Sequence, residues 1–297
     1  SAGIDDGARA LQTLTEIKAL LESRGLRPKK SLGQNFLVDH NLIRKLVDAA
    51  GVGPGSIVLE VGPGTGTMTE ELLDRGCEVV ACELDDDLAA LNRERQPARL
   101  APAEQQRFTL IHDDCLDGKR AVSPRILEAL RGRPFSLVAN LPYGAATPLM
   151  SNLLIDHPEC GVMAVTIQRE VADRLAAKPG SKDYGALAVV AQAIAHVEHV
   201  ATLPRECFWP RPDVTSSMIL LRRRERPLAE NASALSEFLR ELFLQRRKQI
   251  GSVLPRGIDW AAVSTAPGCD GIVPMLRAEQ LGVEQVIALG RALGRLI

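Results

Sequence analysis

Short apolar runs of strand type alternate with helical segments through most of the chain, and this alternation is the strongest constraint on its fold. The runs predicted as strands are residues 57–61, 78–82, 108–112, 137–140, 162–167, 197–202 and 218–221. Helical segments lie between the first five, which predicts an α/β fold with a mostly parallel sheet covered on both faces. Only residues 203–217 separate the last two strands, too few for a crossover helix, so one of them is predicted to be antiparallel.

The strand-like runs stop near Pro227, and helical patterns follow to the end of the chain. We therefore predict two domains. The first, residues 1–226, holds the sheet and begins with a helical segment, because apolar residues recur at helical spacing within 10–21. The second, residues 227–297, is a small helical domain. With 297 residues, 45% of them hydrophobic, the chain is long enough for one sizeable core and a smaller one.

A glycine-rich loop follows the first predicted strand. Gly62-Pro63-Gly64-Thr65-Gly66 comes directly after 57–61, where glycines let the backbone approach a ligand and adopt positive φ. The next strand is followed by Glu83, 21 residues after Gly62, a spacing that suits an acid bound to ribose hydroxyls. A dinucleotide fingerprint would place its third glycine at Thr67, whereas here it is Gly66. The loop therefore favours a methyl donor with one ribose and no pyrophosphate.

The tetrapeptide Asn140-Leu141-Pro142-Tyr143 ends the fourth predicted strand. The Asn140 side-chain oxygen can accept from the exocyclic amino group of a flat base. Pro142 restricts Leu141 to extended geometry and so fixes the direction of its carbonyl, and Tyr143 offers a face for stacking. Taken alone, these four residues are more simply a strand followed by a proline turn. The glycine loop and Glu83 upstream favour the base-binding interpretation.

Six motifs in the same order resemble those of the KsgA family of S-adenosylmethionine-dependent ribosomal RNA adenine dimethyltransferases. They are LGQNFLVD at 32–39, EVGPGTG at 60–66, ELD at 83–85, HDDC at 112–115, NLPY at 140–143 and FWPRPDVTS at 208–216. The resemblance runs from about Leu32 to the C-terminal end. It implies a Rossmann-like class I methyltransferase sheet and S-adenosylmethionine as the cofactor.

The resemblance also implies which residues bind the donor. The set is Asn35, Leu37, Gly62, Gly64, Glu83, Asp114 and Asn140. Asn35, through its side chain, and Leu37, through its backbone, are expected to close over the donor. Asp114 resembles the acid that accepts from the donor adenine, whereas Asp113 beside it is interpreted as a solvated neighbour.

The implied catalytic set is Asn140, Leu141, Pro142, Tyr143 and Phe208. Acceptors at Asn140 and the Leu141 carbonyl are expected to aim the amino lone pair at the methyl group in a direct in-line transfer. Because the base edge must enter a pocket, the target has to be unpaired or flipped out. Phe208 resembles the aromatic residue that covers the base opposite Tyr143. Burial between the sheet and the helical domain is the alternative for Phe208.

The charge distribution is consistent with an RNA partner although the net charge is −1. Residues 24–45 carry six Lys or Arg against one acid, and residues 200–256 carry eleven against six. Phosphate contacts need local rather than total positive charge. The run Arg246-Arg247-Lys248 is the better candidate for RNA contact, because family members carry a similar run, so the helical domain 227–297 is the one predicted to contact RNA. A solvated surface remains the alternative for each stretch.

Several classes of protein are disfavoured by composition. The chain has no 18-residue apolar span and no basic leader followed by an apolar segment, so we predict neither a membrane span nor export. Its six cysteines form no C-x-x-C pair and have no histidine at zinc spacing, so we predict no metal site and reduced thiols in a cytoplasmic protein. We expect a monomer.

The predicted function is dimethylation of two adjacent adenosines in a small-subunit (16S-type) ribosomal RNA loop, on the small ribosomal subunit or its precursor. One alternative is a large-subunit RNA adenine methyltransferase of the antibiotic-resistance type, against which the motif at 208–216 argues. Another is a non-catalytic RNA-binding assembly or transcription factor, against which the intact donor loop and tetrapeptide argue. One departure affects the substrate: Gly144-Ala145-Ala146 stands where family members often carry a polar triplet.

Overall fold

The central sheet has seven strands, and its position in the chain agrees with the predicted alternation. The structure, a computed structural model, describes residues 10–118 and 120–297. The strands, in chain order and with two short pairs included, are β1 (Phe36–Leu37), β2 (Ile57–Val61), β3 (Glu78–Glu83), β4 (Phe108–His112), β5 (Leu116–Asp117), β6 (Ala121–Val122), β7 (Phe135–Asn140), β8 (Cys160–Gln168), β9 (Ala195–Leu203), β10 (Phe208–Trp209) and β11 (Ser216–Arg223).

The main sheet has the strand order β4-β3-β2-β7-β8-β11-β9. The first five strands in this order run parallel, and β11 is antiparallel to both of its neighbours. The prediction of a mostly parallel sheet with one antiparallel strand is confirmed, and all seven predicted strands lie within two residues of the observed bounds. The pairs β1 with β10 and β5 with β6 were not predicted.

Helices cover both faces of the sheet. They are α1 (Leu14–Ser23), α2 (His40–Ala50), α3 (Thr67–Asp74), α4 (Asp86–Arg99), α5 (Pro124–Leu130), α6 (Ala146–Asp156), α7 (Arg169–Leu175), α8 (Ala186–Ile194), α9 (Ala232–Leu242), α10 (Ile250–Val253), α11 (Trp260–Thr265) and α12 (Val283–Ala292). One apolar cluster lies under α2 and α3, and a larger one joins the opposite face to α5, α6 and α8. No helix in the described parts of the chain is long and apolar enough to cross a membrane.

Residues 227–297 are helical, as the sequence pattern predicts, and a single bridge pairs Gln249 with Arg277. In α9, Leu235, Phe238, Leu239 and Leu242 are buried at helical spacing. They join the same apolar cluster as α6 and α8, so α9 and α12 pack against the helices that cover one face of the sheet. A domain boundary at Pro227 stays a prediction.

The N-terminal segment lies across the carboxyl edge of the sheet. Helix α1 begins with a capping box at Thr13 and Glu16, and its Ile17 and Leu21 pack with Phe36 and Leu88. The register of β1 with β10 places Phe36 opposite Trp209, whose ring centroid is 6.3 Å from that of Phe36. These contacts place β1 over the glycine loop.

Candidate active site

An open cleft lies at the carboxyl ends of β2, β3, β4 and β7, the edge where parallel α/β sheets bind their ligands. It encloses about 800 Å³ of space, open solvent included. The predicted site residues that line it are Asn35, Gly62, Gly64, Glu83, Asp114, Asn140, Leu141, Pro142 and Tyr143. The topology therefore brings together residues that are up to 108 positions apart in the sequence (143 − 35).

The glycine loop has a backbone conformation in which residues other than glycine would be strained. Gly62, Gly64 and Gly66 all have positive φ, at 72°, 58° and 88°. A Cβ on Gly64 would lie 2.8 Å from the Phe36 ring, and one on Gly66 would lie 2.1 Å from the side chain of Gln96. Both the backbone conformation and the space thus require glycine at these two positions.

Glu83 ends β3 as a buried carboxylate that holds the loop. Its Oε2 accepts from the Gly64 N–H at 3.2 Å, and its Oε1 accepts from the Asp85 N–H at 3.0 Å. Burial raises the pKa of Glu83 above its ordinary value, although the hydrogen bonds from Asp85 and Gly64 oppose that shift. Each carboxylate oxygen keeps further acceptor capacity, which suits a ligand with neighbouring hydroxyls.

The two acids after β4 differ in what they bind. Asp113 accepts from the Asp114 N–H through Oδ1 at 2.9 Å and from the Ser123 hydroxyl through Oδ2 at 2.8 Å. Asp114 is exposed, and among the described residues only its Oδ1 accepts a bond, from the Leu116 N–H at 3.0 Å. Asp114 is therefore the acid that has an oxygen to spare for a ligand in the cleft.

Asn140, at the end of β7, bonds both to the segment before β1 and to the neighbouring strand β8. Its Nδ2 donates to the Asn35 carbonyl at 2.9 Å, and its Oδ1 accepts from the Thr166 hydroxyl at 2.5 Å. A carboxamide oxygen has two lone pairs, so one remains for a target amino group. The half-buried Tyr143 lies beside it, and its hydroxyl is 3.4 Å from the Ser216 hydroxyl.

Phe208 does not line the cleft. It is 4% exposed and packs in the apolar cluster under α2 and α3, opposite Leu37 in the β1–β10 register. Alternation along β10 turns Trp209 to the other side, where it meets Phe36. The prediction that Phe208 covers a base opposite Tyr143 is not supported by this placement, and we leave Phe208 out of the proposed base-binding set.

Leu37 is also buried, and its position bears on the predicted backbone role. It borders a small pocket that adjoins the cleft and shares Gly62, Gly64 and Asn140 with it. The next residue, Val38, donates from its N–H to the Cys207 carbonyl at 2.9 Å. Leu37 therefore lies behind the glycine loop, and a backbone contact from it to the donor stays a prediction.

Two further groups at the site were not singled out from the sequence. Asp85 caps α4, accepting from the N–H groups of Asp87 and Leu88, and it also binds Lys29 Nζ at 2.6 Å and Gln34 Nε2 at 3.2 Å. Burial would raise the pKa of Asp85, but the bonds from Lys29 and the helix N–H groups hold it below its ordinary value. Asp85 thereby ties the segment before β1 to the edge of the cleft. The ELD motif was the available signal.

The second overlooked group is Glu60, two residues before the glycine loop. It is 2% exposed, and burial raises its pKa to about 8, against a hydrogen bond from the Thr69 hydroxyl at 2.6 Å. The nearby charge of Glu83 adds to the rise. Glu60 is the penultimate residue of a buried strand, and the sequence alone does not show whether its carboxyl is buried with the strand or reaches solvent at the strand end.

The basic stretches are partly used within the protein. Of the first, Arg24, Lys29 and Arg44 pair with acids of the same chain. In the second, Arg246 donates to the Tyr184 carbonyl at 2.7 Å, whereas Arg247 and Lys248 are exposed. The last two residues are thus the better candidates for contacts with an external polyanion.

Within residues 10–118 and 120–297, no group of three or more His, Cys, Asp or Glu side chains is placed to bind a metal ion. All six cysteines are free thiols. Burial raises the pKa of Cys115, which lines the cleft, to about 12, so this thiol stays protonated at neutral pH.

The profile of the family described as ribosomal RNA adenine dimethylase matches residues 25–287. The ribosomal RNA small subunit methyltransferase A of Streptomyces avermitilis is 38% identical over 279 residues, covering 93% of this chain and 92% of the relative. That of Moorella thermoacetica is 39% identical over 282 residues, covering 93% and 96%.

Solved structures show the same fold. A dimethyladenosine transferase from Plasmodium falciparum superposes with a TM-score of 0.70 at 21% identity, over 87% of this chain and 97% of that one. The 23S rRNA methyltransferase ErmE superposes with a TM-score of 0.65 at 27% identity, over 88% and 100%. The two neighbours share the α/β sheet of this chain, which confirms the predicted fold class.

Proposed function

The chain belongs to the ribosomal RNA adenine dimethylase family, and from that premise we propose how its cleft works. It transfers methyl groups from S-adenosylmethionine to the N6 amino group of two adjacent adenosines in a small-subunit ribosomal RNA loop. One observation carries the proposal: Asn140-Leu141-Pro142-Tyr143 and the Gly62–Gly66 loop with Glu83 border one cleft. Residues suited to a flat base thus lie beside residues suited to a nucleoside donor.

The donor side fits a nucleoside with a single ribose. The loop brings its backbone to the cleft at Gly62 and Gly64, and a Cβ on Gly64 would strike Phe36. Glu83 presents a buried carboxylate for the ribose hydroxyls, and Asp114 has a free acceptor for an adenine amino group. When bound, S-adenosylmethionine supplies an electrophilic methyl group on a sulfonium. The other residues proposed to contact it are Asn35, Leu37 and Asn140.

The target side orients an amino nitrogen that is a poor nucleophile, because its lone pair is delocalised into the base. The remaining lone pair of Asn140 Oδ1 and the Leu141 carbonyl, held in direction by Pro142, accept the two N–H groups. Held in this way, the amino lone pair turns out of the ring plane. Correct positioning of reactants can lower a barrier by about 7–11 kcal/mol in well-oriented systems. Tyr143 stacks on the base, which stabilises it by about 1–3 kcal/mol.

A general base is not part of the proposed mechanism. Transfer from a sulfonium needs little proton removal before the transition state, and the extra proton leaves the product amine to water. His112, the histidine of the HDDC motif, has its Nε2 2.8 Å from Asp86 Oδ1 on the surface. His112 is paired there and is not among the residues that line the cleft.

The proposed partner is the small ribosomal subunit or its precursor, approached by a monomer of this chain in the cytoplasm. The target adenosines must leave their stack to reach Asn140, which single-stranded loops allow at low cost. Arg247 and Lys248 in the C-terminal helical region are proposed phosphate contacts. Gly144, where an added Cβ would meet open space, and the small Ala145 follow Tyr143 and leave room for RNA backbone.

The likeness to ErmE makes a large-subunit target the second candidate. A direct test is to incubate the protein with labelled S-adenosylmethionine and unmethylated small or large subunits, and to identify the product nucleoside by mass spectrometry. We expect N6,N6-dimethyladenosine in the small-subunit RNA alone. Label in the large subunit alone would favour the second candidate, and no transfer to either would favour a non-catalytic RNA-binding role.

A further inference from the structure

Thr166 lies on β8 directly beside Asn140, outside every sequence motif. In the parallel register of β7 and β8, Asn140 is its neighbour. The flanking Val165 and Ile167 are buried and apolar, and Thr166 itself is 1% exposed. Burying a hydroxyl is unfavourable unless it is hydrogen-bonded, so this position requires a partner. The partner is the Asn140 carboxamide.

Thr166 contacts both residues proposed to bind the target amino group. Its hydroxyl donates to Asn140 Oδ1 at 2.5 Å, and its backbone carbonyl accepts from the Leu141 N–H at 3.1 Å. Threonine is β-branched, so its χ1 angle is restricted and the hydroxyl has a fixed place. One residue of β8 therefore determines where two consecutive residues of the target side lie.

The bonds around Asn140 leave only one orientation of its carboxamide. The Asn35 carbonyl, 2.9 Å from Nδ2, can only accept, so the amide nitrogen must face it. The oxygen then faces Thr166, whose hydroxyl donates. Because Thr166 occupies one lone pair of Oδ1, the direction of the other is fixed as well.

We propose that Thr166 is a positioning residue for methyl transfer: its hydroxyl holds the Asn140 carboxamide so that the free lone pair of Oδ1 meets the target amino group. The inference rests on the proposed function of the cleft. Without the hydroxyl, Asn140 keeps its bond to the Asn35 carbonyl but its oxygen loses an anchor. An acceptor that can rotate spends less time in the reactive geometry, which lowers the rate rather than the affinity.

The test compares Thr166→Val, which keeps the shape and removes the hydroxyl, with Thr166→Ser, which keeps the hydroxyl. Ile219→Val is the matched control, because Ile219 is a buried residue of the neighbouring strand β11 outside the cleft. Single-turnover methylation of unmethylated small subunits is measured at saturating donor and RNA, with donor affinity by equilibrium dialysis. We expect Thr166→Val to be about 10-fold slower. This is the lower end of the roughly 10- to 100-fold loss seen when a residue that orients a site residue is removed.

Donor affinity and the KM for subunits should stay within about threefold in all variants, and Thr166→Ser should recover most of the parent rate. A Thr166→Val rate within twofold of the parent would overturn the proposal. So would a Thr166→Ser variant as slow as Thr166→Val, or an equal loss in Ile219→Val, since packing would then explain the effect. If the parent protein transfers no methyl group, the proposed function fails instead, so the two failures are distinguishable.

Discussion

The donor side and the target side of the cleft are completed in different ways. On the donor side, Glu83 uses both oxygens to bind the loop and the start of α4, and the glycine loop is closed by Phe36 and α1. On the target side, Tyr143 is half-buried, and the proposed phosphate contacts Arg247 and Lys248, which are not among the residues that line the cleft, face solvent. The proposed donor is the same small molecule in every turnover, so contacts within the protein can pre-form its site. The proposed target surface keeps exposed groups, which RNA would contact when it binds.

The largest expected effect comes from the residue shared by the two sides. Asn140→Ala removes one proposed acceptor for the target amino group, and we expect single-turnover methylation to fall by about 10²–10³. The variant also loses the bond to the Asn35 carbonyl, so donor affinity should fall, but by less than tenfold. Rapid-quench assays at saturating donor and RNA measure the rate, and dialysis measures the affinity. A rate within a few-fold of the parent would exclude Asn140 from the transition state.

A second variant affects the donor side alone. Glu83→Ala removes the charged hydrogen bonds proposed to the donor ribose, and we expect donor affinity to fall by about 10- to 100-fold while RNA binding is retained. Equilibrium dialysis with labelled S-adenosylmethionine measures it. Glu128→Ala, which removes an exposed carboxylate on α5, is the matched control. Unchanged donor affinity in Glu83→Ala would remove this acid from the proposed donor site.

The donor side could be predicted from the sequence because its signals are local. Gly62, Gly64 and Glu83 lie at strand ends, and parallel strands bring their carboxyl ends to one edge. The sequence order of glycine loop, acid and tetrapeptide therefore already determines which residues share the cleft. The chemistry of these residue types gives the rest.

Other features depend on distant partners and could not be predicted in this way. The burial of Phe208 is decided by its pairing with Leu37, and a strand of two residues has no periodicity that reveals its register. Arg246 belongs to a basic run, yet it binds the Tyr184 carbonyl 62 positions away. Thr166 is a polar residue between the apolar Val165 and Ile167, and its role depends on which strand lies beside it.

A third prediction concerns the buried carboxyl beneath the glycine loop. The pKa of Glu60 is about 8 in the folded protein, against an ordinary value of 4.5. Between these values the folded state holds a proton that the unfolded state has released, so the free energy of unfolding should fall as pH rises from about 4.5 to about 8. One proton corresponds to a slope of up to about 1.4 kcal/mol per pH unit.

Glu60→Gln keeps an acceptor for the Thr69 hydroxyl and removes the titration. Urea unfolding at several pH values between 5 and 8 should therefore show a steeper decline in the parent than in Glu60→Gln. Parallel declines would mean that Glu60 does not retain a proton in the folded protein. Donor binding need not change for this outcome, so the experiment separates stability of the loop support from the chemistry of the cleft.

The smallest expected effect is on the target side, far from the chemistry. Arg247→Ala with Lys248→Ala removes two exposed charges and spares Arg246, whose bond to Tyr184 makes it part of the fold. If both side chains contact phosphates, the log-log salt slope of subunit binding should become shallower by about 1.4 to 1.8, and donor affinity should not change. The charge-conserving pair Arg247→Lys with Lys248→Arg is the control and should keep the parent slope. An unchanged slope in the alanine pair would show that these residues are a solvated surface, and the RNA contacts of the target side would then have to be sought in other basic residues.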